Sequence, residues 1–220
     1  MTRLLPVCAA VLTAAGLAAQ TPAPQRPDPR TLLLRGDRFK PLTYDQMTPA
    51  QKTMVEHLLS GPRAGAAGPF NALLRSPEMG DLAQQFGASV RFNTSIPRKL
   101  NELAIIIVAR HWTAQFEWQA HHRAALQAGL NPAIADAIAQ GKRPTSMQKD
   151  EEAVYTFCSE LLNTKQVSDG TFAAAKDAVG ERGVVDLIGV MGWYETVSML
   201  LNTDRYPLPD GTLPELKPLR

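Results

Sequence analysis

Residues 97–130 read PRKLNELAIIIVARHWTAQFEWQAHHRAALQAGL, and this stretch decides the fold class. Pro97 is a helix start signal, and the pattern predicts an apolar helix to about His111. The β-branched run AIIIVA is also compatible with a strand, but the start signal and the length favour a buried helix. A second helix is predicted over 114–128, before Gly129. Because the first helix is apolar on nearly all its faces, it is either central or at a subunit interface.

The rest of the chain repeats these helical signals and has no alternating strand pattern. Thr48, Pro49 and Gln51 form an N-cap, a proline at the first helical position and a capping-box partner. We therefore predict one all-α domain over residues 46–205, followed by an irregular tail over 206–220. Further helices are predicted at 48–60, 76–92, 132–139, 146–162, 168–179 and 181–201.

The N-terminus has the features of an exported protein. Arg3 provides a short positive region, an apolar run follows to Leu17, and small residues come next. Residues 1–20 are therefore predicted to be a signal peptide, cleaved after residue 18, 19 or 20. An uncleaved anchor is the alternative. Residues 21–45 are predicted to be a proline-rich linker and arm. We expect a periplasmic or secreted protein with no stable membrane anchor after cleavage.

Charge and cysteine content exclude two classes of function. The 220-residue chain has a net charge of +2, which becomes +1 when Arg3 is removed, and it has no basic cluster. No nucleic-acid partner is therefore expected. Cys158 is the single cysteine left after cleavage, so the chain forms no internal disulfide. Its helical context predicts a small core residue rather than a nucleophile.

Three side chains of residues 97–130 are candidates for proton transfer. Glu117 and His121 are four residues apart, which places them on one helix face, and Glu102 lies in the apolar helix before them. Two carboxylates and an imidazole in an apolar setting are suited to acid–base catalysis. The alternatives are a first-turn glutamate exposed to solvent at position 102 and an ordinary surface pair at 117 and 121.

The aromatic residues near this pair are candidate substrate-binding residues. Trp112, Phe116 and Trp118 would form the pocket wall, although burial in the core is the commoner location for such side chains. His122 points about 100° away from His121 and is predicted to be secondary or exposed. A metal site using His111 is an alternative, but neither HExxH nor a cysteine pair is present. We therefore expect neither a metal nor a cofactor.

Three segments carry a resemblance to a known family. They are RKLNELAIIIVARHW at 98–112, FEWQAHHRAALQAGL at 116–130 and GVMGWYETVSMLLN at 189–202. In this order they resemble the carboxymuconolactone decarboxylase family, which includes the AhpD-type alkylhydroperoxidases. The resemblance implies an AhpD-like helical domain that forms a homo-oligomer, a trimer or a hexamer. It also places the family's glutamate at Glu102 and its distal histidine at His121.

The peroxidase branch of that family needs two cysteines that this chain does not have. The corresponding positions are Ala114 and Glu117, and Phe116 stands where the branch has a histidine. A thiol peroxidase requires an attacking thiolate and a resolving thiol, so peroxidase activity is not expected. The decarboxylase branch lacks these cysteines and acts on a lactone acid.

We therefore predict a decarboxylase-like lyase that uses Glu102, Glu117 and His121 on a small carboxylic acid with a carbonyl or lactone group. His121 would stabilise the developing charge, and Glu117 would orient the ring. Two alternatives stay open. One is a non-catalytic small-molecule-binding or assembly protein of the same fold, and the other is a metal-dependent hydrolase.

Overall fold

The computed structural model describes residues 27–63 and 65–218, and within them the protein is entirely helical. Eight α-helices and no β-strand are found in these residues, which confirms the all-α prediction. The predicted signal peptide at 1–20 lies outside them. The helices are α1 Pro49–Ser60, α2 Phe70–Leu73, α3 Pro77–Phe92, α4 Arg98–His111, α5 Gln115–Gln127, α6 Pro132–Ala139, α7 Lys149–Thr164 and α8 Asp169–Asp204.

Helix α4 is the centre of the fold. Every residue from Leu100 to Arg110 is buried, and the helix packs against α5, α6, α7 and α8. The AIIIVA run is therefore helical and central within one subunit. Its all-round apolar surface is covered by the chain's own helices, so this feature does not call for a partner subunit. Of the two locations predicted for this helix, the central one is observed.

The predicted helix boundaries are close to the observed ones, with two differences. The short helix α2 was not predicted, because it follows a glycine-rich segment and has only four residues. The two helices predicted at 168–179 and 181–201 are joined as α8. Gly180 interrupts α8 with a φ of 74°, a left-handed conformation that glycine adopts without strain. The predicted break is therefore present, as a kink at Gly180 that separates the two parts of α8.

The segments on either side of the helical domain are tied to it. In the N-terminal arm, Asp204 at the end of α8 accepts hydrogen bonds from the backbone N–H groups of Asp37 and Phe39, at 3.2 and 2.7 Å. In the tail, Leu216 is buried and both its backbone groups bond to the Gln115 side chain. The tail is irregular, as its sequence indicates, and it covers one side of α5.

Two helices leave apolar side chains exposed. Met79, Leu82 and Phe86 are exposed on α3, and Val185 and Ile188 are exposed on α8. The two helices pack against each other, so these side chains belong to neighbouring surfaces. We call this exposed set the α3/α8 apolar surface.

Helix α8 also passes a simple membrane-span test. Within the described part of the chain, α8 is long and apolar enough to cross a membrane by length and composition. Half of its most apolar window is buried inside the fold, and α8 packs against α3, α4 and α7. A core helix of a globular domain has these same properties.

Candidate acid–base site

The structure brings Glu102, Glu117 and His121 into one hydrogen-bonded cluster. Glu102 Oε2 lies 2.6 Å from His121 Nδ1, and Glu117 Oε1 lies 3.1 Å from His121 Nε2. All three side chains are buried, with His121 only 1% exposed and each glutamate 5% exposed. The exposed-glutamate and surface-pair alternatives are therefore excluded. We call these three residues the Glu–His–Glu cluster.

The turn between α4 and α5 makes this meeting possible. A strictly antiparallel pair would separate Glu102 and Glu117 by about 10 Å along the helix axes. The contact that Glu102 makes is with His121, one turn beyond Glu117, where the same geometry leaves a separation of only about 5 Å that the side chains span. Thr113 forms the turn with a φ of 49°, a conformation that is unfavourable for a β-branched residue. Asn202 supports the turn by donating to the Trp112 carbonyl at 2.8 Å.

Burial and charge act in opposite directions on His121. Burial lowers the pKa of the imidazole because the charged form loses its water. Hydrogen bonds to Glu102 and Glu117, together with their negative charges, outweigh this effect and raise the pKa above its ordinary value. The two carboxylates therefore favour the protonated form of His121. In that form both ring nitrogens donate, one to each carboxylate.

Part of the cluster faces a small cavity. Glu117 and His121 line a cavity of about 220 Å³, together with Phe116 and Tyr194. The Tyr194 ring meets the His121 ring edge to face, with centroids 4.8 Å apart. Drug-sized ligands occupy cavities of about 300–1,000 Å³, so this cavity suits a smaller compound. It combines apolar walls with a proton donor, as acid–base chemistry requires.

Glu102 faces a different cavity. It lines a space of about 350 Å³ whose wall includes Thr94, Asn101 and Arg98. Arg91 lines both this space and the cavity at Glu117. The Glu–His–Glu cluster therefore connects two cavities, with His121 between them. A proton taken up on one side can leave on the other through the imidazole.

The predicted aromatic wall is only partly correct. Phe116 lines the cavity, but Trp118 is fully buried and its indole N–H donates to Glu215 at 2.9 Å. Trp112 lines a separate space at the end of α8. The tryptophan that lines the cavity is Trp193. Neighbouring positions on a helix point in different directions, and the sequence did not indicate which face of α5 is covered by the tail.

Sequence analysis also missed three polar residues of the cavity. Arg63 and Arg91 both line it, and so does Tyr194. Tyr194 lies inside the segment GVMGWYETVSMLLN. This segment contributes to the family resemblance, but the resemblance assigns no role to any single residue in it. Arg63 lies in the glycine-rich segment GPRAGAAGPF before α2, which has no sequence signal for a functional residue. No local spacing links these positions to His121, since α3, α5 and α8 must first pack together.

The other histidines and the cysteine lie outside the cluster. His122 is 3.1 Å from Glu215 of the tail, and His111 is exposed at the end of α4. Cys158 is fully buried in α7, and burial raises the pKa of its thiol to about 12. A thiol in this state is a poor nucleophile.

A second, larger cavity of about 630 Å³ lies between α7 and the first part of α8. No histidine, cysteine or aromatic side chain of the described residues lines it. The smaller cavity beside His121 is therefore the better candidate for the functional site, although its volume is lower. In residues 27–63 and 65–218, no group of three or more His, Cys, Asp and Glu side chains has the arrangement needed to bind a metal ion.

Compared with known proteins, the chain matches no family model and no curated protein sequence.

Proposed function

We propose that this protein is a decarboxylase-like lyase acting on a small carboxylic acid that carries a carbonyl or lactone group. The observation that carries the proposal is the buried hydrogen bonding of His121 to both Glu102 and Glu117 beside a small cavity. A protonated imidazole in a water-poor cavity is a strong stabiliser of negative charge. Decarboxylation beside an unsaturated lactone creates such a charge.

The proposed reaction has two steps. The bond between the substrate carbon and its carboxylate breaks, CO₂ leaves, and the electron pair stays on the substrate as a dienolate. His121 then transfers its Nε2 proton to the substrate carbon. Glu102 lies 2.6 Å from Nδ1, closer than Glu117 lies to Nε2 at 3.1 Å, so Glu102 is the residue that fixes the orientation of the ring. Glu117 and the substrate both contact the Nε2 side of the ring. A proton from solvent returns to the imidazole through Glu102 and its own cavity.

We also propose the AhpD-like fold and a homo-oligomer, a trimer or a hexamer. The family resemblance of residues 98–130 and 189–202 supports both. The α3/α8 apolar surface adds an independent reason for the oligomer, because contiguous apolar surfaces on soluble proteins often mark interfaces. Light scattering on the purified protein should give three or six times the subunit mass. A stable monomer at micromolar concentration would contradict this.

Export to the periplasm or the medium is the proposed location. The pattern of residues 1–20 supports it. The decarboxylase branch that this chain resembles acts in the intracellular breakdown of aromatic compounds, which does not match an extracytoplasmic location. The proposal therefore covers the chemistry and not that pathway.

The test of the activity uses His121 and its neighbour on α5. Purified protein is incubated with a panel of unsaturated γ-lactone carboxylic acids, and CO₂ release is measured. His121→Gln should lower the rate by about 10²–10⁴-fold, the usual contribution of a general acid. His122→Gln is the matched control, because His122 is bonded to Glu215 outside the cluster, and it should keep full activity.

The outcome also separates the alternatives. Turnover that survives His121→Gln would refute the proposed mechanism. Binding of lactone acids without any turnover would favour the non-catalytic binding protein. Turnover that is lost on chelation and restored by a divalent metal would favour the metal-dependent hydrolase.

A further inference from the structure

Arg63 lies at the wall of the cavity beside His121, with part of its guanidinium unsatisfied among the described residues. Its Nε and Nη2 atoms are buried, and neither has a hydrogen-bond partner in the described part of the chain. Burial lowers the pKa of this arginine, which shows that its charge has lost water without full compensation. Buried charged groups of this kind are costly unless an opposite charge or hydrogen-bond acceptors are present. The free protein therefore bears a cost that a ligand can relieve.

A second arginine shares the same wall. The Arg63 guanidinium carbon lies 5.0 Å from the Phe70 ring centre and 5.7 Å from that of Phe92, and the guanidinium carbon of Arg91 lies 5.3 Å from the Phe92 ring centre. Both guanidinium groups are within cation–π distance of the Phe92 ring, but the positive charge of Arg91 also lowers the pKa of Arg63, so an anion beside the two would be favourable. Glu117 is the acidic residue lining the same cavity, and it already bonds to His121.

We propose that Arg63, with Arg91 beside it, is the carboxylate receptor of this cavity and restricts the substrate to anionic compounds. A guanidinium binds a carboxylate through two parallel N–H···O bonds, and Nε with Nη2 is one of the two edges that can form them. The proposal rests on the proposed function, because it concerns the substrate of the same cavity. In the decarboxylation chemistry the receptor holds a carboxylate that stays on the product, so the substrate has a second carboxylate, which leaves as CO₂ beside His121.

The properties of the cavity distinguish a carboxylate ligand from a phosphate ligand. The cavity of about 220 Å³ already contains the Glu117 carboxylate, and a doubly charged phosphate would meet more repulsion there than a singly charged carboxylate. The planar edge of Arg63 also matches a planar carboxylate. The receptor should therefore prefer a carboxylate to inorganic phosphate.

Direct binding tests this proposal without any need for turnover. Isothermal titration calorimetry would compare 4-oxopentanoate, its methyl ester and inorganic phosphate on the intact wild-type protein. The keto acid should bind at least 10-fold more tightly than the other two. Arg63→Met keeps an apolar stem of similar length and should weaken keto-acid binding by about 10- to 100-fold, because a hydrogen-bonded charge pair is lost. Arg123→Met removes an exposed arginine from α5 and is the matched control, which should bind as wild type does.

The melting temperature of the free protein provides a readout that a structural role would not give. Arg63→Met should change it little, because the lost cation–π contacts with Phe70 and Phe92 are offset by removing buried Nε and Nη2 atoms that have no hydrogen-bond partner in the described residues. The receptor proposal is overturned if the acid and the ester bind equally well or if phosphate binds more tightly. It is also overturned if Arg63→Met binds the keto acid as wild type does, or if the keto acid does not bind at all. If keto-acid binding needs Arg63 but no lactone acid is turned over, the receptor stands and the decarboxylase function fails.

Discussion

Glu102→Gln is the substitution that tests the electrostatics of the Glu–His–Glu cluster most directly. It removes one negative charge and keeps a side chain of nearly the same shape, whose amide oxygen still accepts a hydrogen bond. Glu102 is 5% exposed and bonds to His121 Nδ1 at 2.6 Å, the shorter of the two contacts to the ring. The interaction with protonated His121 is therefore weakened without creating a cavity.

The expected effect depends on pH. A hydrogen bond to a charged group contributes about 1.5–3 kcal/mol and a neutral one about 0.5–1.5 kcal/mol, so Glu102→Gln should lower the free energy of unfolding by about 1–2 kcal/mol where His121 is protonated. The folded-state pKa of His121 is raised above the ordinary value of 6.5. Its contribution is therefore complete below pH 6.5 and is lost as the pH rises through the folded-state pKa.

Above that pH the imidazole is neutral and can donate from one nitrogen only. One carboxylate of the wild-type cluster then has no donor, whereas the amide of the variant can donate to the ring. The penalty of Glu102→Gln should therefore shrink or reverse between pH 5.5 and pH 9.5. Glu117→Gln should show the same trend with a smaller penalty, because its contact is 3.1 Å.

Urea unfolding followed by far-ultraviolet circular dichroism measures these free energies at a fixed protein concentration. Glu152→Gln is the control, since Glu152 pairs with Arg143 at the surface and should show little penalty at either pH. A penalty for Glu102→Gln that is the same at both pH values, or larger at alkaline pH, would refute the raised pKa of His121.

Three further predictions concern the core, the thiol and the N-terminus. Gly87→Ala should lower the free energy of unfolding by about 1–3 kcal/mol in urea unfolding, because its Cβ would collide with the Trp193 ring and overpacking is destabilising; an unchanged midpoint would contradict this packing. Reductant-coupled peroxide reduction should be undetectable, since Cys158 is buried and its thiol has a raised pKa; robust turnover that disappears in Cys158→Ala would overturn the prediction. N-terminal sequencing of protein from its native host should begin between Ala19 and Thr21, and an intact Met1 in the cytoplasm would exclude export.

Local signals were sufficient to predict most of the helices. The capping residues around Thr48 and the proline before α4 act within one helical turn, so the helix starts that they cause can be predicted from the sequence. The i,i+4 spacing of Glu117 and His121 is equally local, and their contact needs only that α5 be a helix. The all-α class follows from the same signals, because they occur in most segments of the domain.

The sequence alone thus determined the helical class and the pairing of Glu117 with His121, because both depend on interactions within one or two helical turns. Only the tertiary structure decided that Glu102 reaches His121, since this requires the turn at Thr113 and the packing of α4 against α5. Packing also decided which aromatic side chains line the cavity. Packing also places Arg63 in the site, because Arg63 is distant from His121 along the chain. Only the assembled helices bring its guanidinium, whose Nε and Nη2 atoms have no partner in the described residues, to the cavity wall.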